Sequence, residues 1–295
     1  MHRGLAQKPV PLLHIAAEPG ISQGQGKRDV TLQRLFDCHM HTTHSCDATA
    51  TFDELCESAL KYGLQGICVT EHVDFDEADA GYGYYNYYAY MADVKRCRKK
   101  YGSRLTIRTG VEVTYQTEFI DDIKRFLGTY ELDYVLGSVH SIDHVLVLDP
   151  EYPEGRTKNE AYEPYWQETL AMVESGLFKH IGHLDYIKSI RSQEYGEFEV
   201  RQWLPWITKI LERVVESGAI LEVNTSALRK GHTEPYPGWD ILKLYKDLGG
   251  THVVIGSDSH SPSHVGLGFR ETAAQLKNMG LEICKDGIFT ASITA

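Results

Sequence analysis

The sequence predicts an α/β fold in which parallel strands close into a barrel. Seven strand-like segments alternate with seven helix-like segments, which is the pattern of repeated βαβ units. Histidine, aspartate or glutamate stands at the C-terminal end of strand after strand, which favours a barrel over an open sheet with one switch point. No G-x-G-x-x-G motif follows the first strand, so a dinucleotide site is not expected. The length of 295 residues suits one such barrel.

The predicted elements follow from hydrophobic patterning and from residues that begin or end helices. The strands are predicted at 35–41, 66–72, 106–114, 134–142, 180–187, 219–224 and 252–256. The first helix is predicted to begin at a cap formed by Thr51 or Asp53 and to end at Gly63. The second is predicted to end near Gly102, and the others cover 119–127, 159–175, 199–217, 239–248 and 266–279.

The chain is predicted to consist of an N-terminal extension followed by one domain. Residues 1–28 contain Gly, Gln, Pro and Lys without periodicity, so we expect a poorly ordered extension there. Residues 29–295 are predicted to form one domain.

Composition limits the class of partner and the compartment. The net charge is −11 and no block of Lys or Arg occurs, which argues against a nucleic-acid or membrane-surface partner. No apolar run approaches the length of a membrane span, and residues 9–17 are too short and interrupted for a signal peptide. The six cysteines form no C-x-x-C pair and are expected to be reduced thiols. The expected location is the cytoplasm.

The segment 36–47, F-D-C-H-M-H-T-T-H-S-C-D, contains the first candidate metal ligands. His39 and His41 alternate in an extended segment and therefore point to one face, where two imidazoles can bind one ion. The two histidines of an isolated H-x-H motif more often lie at the edge of a hydrophobic core than bind a metal ion. Similar residues, however, end later strands: V-T-E-H at 69–72, G-V-E at 110–112, G-S-V-H at 137–140, G-H-L-D at 182–185 and G-S-D-S-H at 256–260. Their recurrence indicates a polynuclear metal site.

Together these motifs resemble those of the PHP (polymerase and histidinol phosphatase) metallohydrolases. The run L-E-V-N-T-S-A-L-R-K at 221–230, with Y-P at 236–237, resembles the histidinol-phosphate phosphatase branch, which often has Gly where this chain has Ala227. The resemblance covers about residues 34–270. It implies a distorted seven-stranded (β/α) barrel of the PHP type that holds three metal ions, which would be Zn, Mn or Fe.

The resemblance implies nine ligands, all with nitrogen or oxygen donors. His39, His41, Glu112 and Asp258 would hold the first ion; Glu112, as a bridge, with His140 and His183 the second; Asp47, His72 and His260 the third. Clustered metal ions lower the pKa of bound water, so the expected nucleophile is a metal-bound hydroxide and no protein side chain. Within the first loop, Asp47 is preferred to His44 as a ligand.

A phosphate ester also needs cationic contacts beyond the metals. Arg229 matches the branch motif and can offer phosphate a two-pronged guanidinium, and Arg191 is a second candidate. The alternative for either arginine is a solvated salt bridge. His144 and His264 either touch substrate or lie on the surface. Asp185 is a candidate acceptor for the second nitrogen of a metal-bound histidine.

The tyrosine-dense segment 81–91 follows the second strand and has two interpretations. It is either a lid whose rings meet a cationic substrate group, or the start of a helix packed on the barrel wall.

The resulting functional prediction is metal-dependent hydrolysis of L-histidinol phosphate to L-histidinol and phosphate in histidine biosynthesis. The substrate would be a small phosphate monoester. One alternative is a PHP phosphoesterase that acts on another such ester, for example a nucleotide. Another is a PHP module without catalysis, which would be expected to lack ligands, whereas all nine positions hold competent residues.

Overall fold

The computed structural model describes residues 35–190 and 192–284, which form a curled parallel sheet with helices packed against it. The strands are β1 Phe36–Asp37, β2 Gly66–Val73, β3 Thr106–Thr114, β4 Tyr134–Ser138, β5 Ser141–Ile142, β6 Val145–Leu146, β7 His180–Ile181, β8 Ile220–Asn224, β9 His252–Gly256 and β10 Glu282–Ile283. The helices are α1 Phe52–Tyr62, α2 Tyr87–Tyr101, α3 Ile120–Thr129, α4 Lys158–Glu174, α5 Ser192–Tyr195, α6 Val200–Ser217, α7 Ser226–Arg229, α8 Trp239–Asp247 and α9 Phe269–Asn278.

The main sheet contains eight strands in the order β1-β2-β3-β4-β7-β8-β9-β10, and its neighbouring pairs are parallel. Strands β5 and β6 form a separate antiparallel hairpin. The predicted count of seven is therefore wrong by one within the described residues. The additional strand is β10, whose two residues are too few to leave a periodic pattern in the sequence.

The sheet closes on itself at the C-terminal ends of its strands. The backbone N–H of Cys38 donates to the carbonyl of Ile255 at 2.9 Å, and that of His41 donates to Ser259 at 2.8 Å. A third bond runs the other way, from the N–H of Asp258 to the carbonyl of His39, at 2.7 Å. The chain after β1 thus pairs with the chain around the end of β9, and the predicted barrel is confirmed.

Three predicted strands are much shorter in the structure than in the prediction. The segment 35–41 contains only β1 and an isolated bridge at Met40, and two further segments are interrupted. The segment 134–142 is divided into β4 and β5, and residues Asp143 and His144 then turn back with φ of 52° and 66°. The segment 180–187 contains only β7 and then a 3-10 turn at Tyr186–Ser189. In both segments the chain leaves the sheet where it presents a histidine to the barrel mouth.

The helices begin and end largely where the sequence indicates. Thr51 caps α1, because its side chain accepts from the N–H of Glu54 while the Glu54 carboxylate accepts from Thr51 N–H. Gly63 ends α1 with φ of 82°, which glycine adopts without steric strain. Outside the barrel, α4 packs against α6, and α6 against α8.

Within 35–190 and 192–284, no helix is long and apolar enough to cross a bilayer. The predicted extension 1–28 lies outside the described residues, and the proposed domain boundary stays a prediction. All six cysteines are free thiols.

Candidate metal centre

The predicted ligands converge at one mouth of the barrel. Because the strands are parallel, residues at their C-terminal ends meet at the same edge of the sheet. His72 in β2 pairs in register with Glu112 in β3, which places these two side chains side by side. The remaining predicted ligands follow β1, β4, β7 and β9 or stand in the loop before α1: His39, His41, Asp47, His140, His183, Asp258 and His260.

Within the described residues, ligand atoms close enough to share an ion occur in four groups. Three of them draw only on predicted residues: His39–His41–Asp258, His41–His72–His260 and Glu112–His140–His183. The fourth contains Asp74 with His72 and His140, and Asp74 was not predicted. The groups share members, so they describe one polynuclear cluster of donors rather than separate sites.

Glu112 lies at the centre of the cluster, and its two oxygens face different histidines. Its Oε1 is 2.9 Å from Nε2 of His183 and 3.3 Å from Nε2 of His140. Its Oε2 is 3.0 Å from Nε2 of His39 and 3.4 Å from Nε2 of His41. A carboxylate placed in this way can bridge two cations.

Asp47 lies with the predicted third group. Its Oδ2 is 3.0 Å from Nε2 of His260 and 3.5 Å from Nε2 of His72. The alternative in the same loop, His44, turns away and pairs with Asp93 at 3.0 Å.

In several of the predicted ligand histidines, the ring nitrogen that faces away from the cluster contacts another group of the protein. Nδ1 of His39 is 2.6 Å from Oε1 of the buried Glu222, and Nδ1 of His140 is 2.9 Å from the Thr114 hydroxyl. Nδ1 of His260 is 3.0 Å from the carbonyl of Asp258. Contacts of this kind fix the ring and direct Nε2 to the centre, as in protein metal sites.

The charges of the cluster favour a cation. Burial alone would raise the pKa of Glu112, but the imidazoles of His39 and His140 hold it well below its usual range. Burial alone would lower the pKa of His72, but Asp47 and Glu112 raise it to about 10. The carboxylates therefore stay ionised and attract positive charge. Nε2 of His39 also lies only 3.0 Å from Nε2 of His41, a spacing suited to two nitrogens that bind a common ion. The donor set thus fits divalent metal ions.

A cavity of about 420 Å³ opens directly above the cluster. Seven of the predicted ligands line it: Asp47, His72, Glu112, His140, His183, Asp258 and His260. Its other walls differ in charge, because Arg229 and Lys230 supply cations whereas Asp79 and Asp149 supply carboxylates beside Leu146 and Leu148. The volume is that of a site for a small organic molecule.

Comparison with known proteins decides the family. The model of the PHP domain matches residues 37–226, which include seven of the nine predicted ligands. The chain belongs to the PHP domain family.

Relatives within this family are similar along nearly their whole length. The histidinol-phosphatase of Bacillus subtilis is 29% identical over 261 residues, covering 79% of this chain and 96% of the relative. The histidinol-phosphatase of Lactococcus lactis is 28% identical over 254 residues, covering 83% and 91%. A crystal structure of histidinol phosphate phosphatase from Lactococcus lactis, complexed with Zn, L-histidinol and phosphate, superposes with a TM-score of 0.77 at 26% identity. It covers 85% of this chain and 96% of that one.

Of the two arginines predicted to contact phosphate in this PHP domain, the structure describes only Arg229. Arg229 lines the cavity, with its guanidinium donating to the backbone carbonyls of Ser257 and Asp258. Arg191 lies outside the described residues, so its role stays a prediction. Asp185 accepts from the N–H of Gly238 at 3.0 Å and pairs with Lys188, and it makes no contact with a predicted ligand histidine within the described residues.

Two further histidines and the tyrosines of segment 81–91 do not line the cavity among the described residues. His144 pairs with Asp76 at 2.8 Å, and His264 is absent from the described lining of the cavity. In the segment 81–91, Tyr90 is fully buried and donates to the carbonyl of Val69, which agrees with packing on the barrel wall. Tyr88 is 77% exposed and faces solvent. None of these tyrosines lines the cavity among the residues described.

Three functional candidates were missed from the sequence: Glu222, Asp74 and Lys230. Glu222 could have been found, because a glutamate inside an otherwise apolar strand needs a buried partner. Asp74 follows the T-E-H motif by two residues, but no sequence pattern indicates that its carboxylate lies with His72 and His140. Lys230 is adjacent to Arg229 in the same motif, but the fit of a two-pronged guanidinium to phosphate directed the prediction to Arg229.

Proposed function

We propose that this chain is a metal-dependent phosphatase that hydrolyses L-histidinol phosphate to L-histidinol and phosphate in histidine biosynthesis. The observation that carries the proposal is a cluster of nitrogen and oxygen donors beneath a cavity with cationic and acidic walls. The similarity to histidinol-phosphatases over most of both chains supports the choice of substrate.

The metal ions are assigned by the groups of donors, and we propose three of them, as Zn, Mn or Fe. His39, His41, Glu112 and Asp258 would hold the first; Glu112, His140 and His183 the second; Asp47, His72 and His260 the third. Such ions supply an activated water and neutralise charge on the phosphoryl oxygens. The neighbouring Asp74 is an additional candidate donor, because it shares a group with His72 and His140.

The side chains of the protein hold and orient the reactants. Glu112 keeps negative charge between the first two groups of donors, and Glu222 and Thr114 fix the imidazoles of His39 and His140. Arg229 and Lys230 line the cavity and give it a positive charge that attracts the phosphoryl group.

The other lining residues of the cavity match the rest of the proposed substrate. Leu146 and Leu148 offer an apolar surface to an imidazole ring, and Asp149 and Asp79 offer carboxylates to an ammonium group. Histidinol phosphate has both groups, whereas a nucleotide has a larger, uncharged or anionic leaving group. The charge pattern of the cavity therefore favours histidinol phosphate.

The test is a substrate panel after the metals are stripped and restored singly. We expect phosphate release from L-histidinol phosphate at a kcat/KM far above those for nucleoside monophosphates and glycerol phosphate, with loss on stripping and recovery on restoration. Preference for a nucleotide would assign the chain to another phosphoesterase. Absence of phosphate release from every ester after metal restoration would reject catalysis.

A further inference from the structure

We propose that the adjacent cations Arg229 and Lys230 have separate roles: Arg229 is a positioning residue for Asp258, and Lys230 binds the phosphoryl group. This inference rests on the proposed phosphatase function and reverses the sequence-based expectation that Arg229 is the main phosphate contact.

Arg229 directs its guanidinium at the backbone of the chain after β9. Nη1 donates to the carbonyl of Ser257 at 2.5 Å, and Nη2 donates to the carbonyl of Asp258 at 2.8 Å. Two bonds from the two ends of one planar group fix both the group and the two carbonyls. Two of the five N–H donors of the guanidinium, one on each terminal nitrogen, are thus engaged by the protein instead of being free for phosphate.

The segment that Arg229 holds needs such support. Asp258 has φ of 51°, a left-handed conformation that residues other than glycine seldom adopt and that persists only where surrounding contacts enforce it. Further contacts act on the same segment: Ser257 N–H donates to Asp37 at 2.9 Å, and the Ser226 hydroxyl donates to the Asp258 carboxylate at 3.0 Å. This conformation aims the Asp258 carboxylate at His39 and His41. Arg229 therefore acts on the donor cluster through Asp258.

Lys230 is in the opposite situation. Its ammonium lies 4.6 Å from the ring centre of Tyr186 and 5.6 Å from that of Tyr236. Within the described part of the chain it makes no hydrogen bond or ion pair, and it lines the cavity. The two rings restrict its position by cation–π contact but leave its three N–H donors available.

Lys230 also lines the same cavity as the donors. The ring of Tyr186, over which the ammonium lies, has its centre 4.6 Å from that of the candidate ligand His183. Lys230 therefore supplies an unpaired cation to the cavity in which a phosphoryl group would reach the cluster. A charge-assisted bond from an ammonium to a phosphoryl oxygen is among the stronger polar contacts available to proteins.

The experiment compares Arg229→Lys with Lys230→Met in the zinc-loaded protein, with the exposed Lys209→Met on α6 as a matched control. Arg229→Lys keeps the charge but cannot hold two carbonyls in the same geometry, and Lys230→Met keeps the length but removes the charge. Three quantities are measured: zinc affinity by chelator competition, inhibition by inorganic phosphate at saturating zinc, and KM for L-histidinol phosphate.

For Lys230→Met we expect unchanged zinc affinity and an increase of about tenfold or more in both KM and the phosphate inhibition constant, with partial rescue by Lys230→Arg. For Arg229→Lys we expect zinc affinity to fall by roughly tenfold or more, while the phosphate inhibition constant at saturating zinc stays within about threefold of the parent. Ser226→Ala, which weakens the same segment by another contact, should also lower zinc affinity.

The reverse pattern overturns the proposal: weaker phosphate binding with intact zinc affinity in Arg229→Lys, or unchanged phosphate binding in Lys230→Met. If L-histidinol phosphate is not hydrolysed, inhibition by inorganic phosphate is measured with p-nitrophenyl phosphate as the substrate. If neither ester is hydrolysed, the binding of inorganic phosphate to the zinc-loaded protein is measured by calorimetry. The proposed substrate can therefore fail while the division of roles holds, and the two failures are distinguished.

Discussion

His39 and Glu222 stand 183 residues apart in the sequence and meet in the barrel at 2.6 Å, with both side chains fully buried. Glu222 also accepts from the backbone N–H of His183 through its other oxygen, at 2.9 Å. One carboxylate thus orients a candidate ligand of the first group and anchors the segment that carries a ligand of the second.

We expect Glu222→Gln to weaken zinc binding by roughly 10- to 100-fold, because an amide can keep only one of these two acceptor contacts in good geometry. The measurement is chelator competition, with the exposed Glu212→Gln on α6 as a control. Equal zinc affinity in Glu222→Gln and the parent would reduce Glu222 to a packing role.

Glu112→Gln tests the bridge. The substitution keeps the shape of the side chain but removes the charge that both groups of donors share, so we expect loss of at least one metal ion and a fall in kcat of roughly two orders of magnitude. If Glu112 only packed in the core, the neutral amide would be easier to bury and the variant would be as stable as the parent or more so. Metal content and thermal stability, measured together, separate these outcomes.

Metal removal tests the cluster as a whole. Protein purified without chelator should contain more than one transition-metal ion per chain, and His39→Ala or Asp258→Ala should lower that content. Stripping should also lower the melting temperature, since ions bound only by the folded state stabilise it. Full phosphatase activity in metal-free protein would contradict the proposed mechanism.

The ion pair of His144 and Asp76 predicts a pH-dependent contribution to stability. The hydrogen bond with Asp76 raises the pKa of His144, so its contribution is complete below the ordinary histidine value of about 6.5 and is lost as the pH rises through the raised value. Burial would raise the pKa of Asp76, but bonds from Ala78 N–H, Gln116 and His144 lower it, so that side of the pair is lost only in acid. Denaturation at pH 6 and pH 9 should show His144→Gln less stable than the parent at pH 6, and the difference should shrink at pH 9. An equal difference at both values would show that charge is not involved.

The barrel and the grouping of polar residues at its mouth were predictable because they depend on local patterns. Thr51 marks the start of α1 by its capping hydroxyl, and Gly63 marks its end by adopting a positive φ without strain. H-x-H in an extended segment must place both rings on one face. The contact between His39 and Glu222 was not predictable, because it depends on how two distant strands pair. Likewise, the orientation of Arg229 toward carbonyls follows from the left-handed Asp258, which no sequence pattern indicates.

The closure of the barrel has a consequence for synthesis on the ribosome. Asp37 beside the first candidate ligands bonds to the N–H of Ser257, which lies 220 positions later in the chain. At about 5–20 residues per second, roughly 10 to 45 seconds separate the emergence of these two segments. During that interval His39 and His41 lack Asp258, so a nascent chain cannot assemble the first group of donors. The first group of donors can therefore form only after β9 has been synthesised and has arrived beside the segment that follows β1.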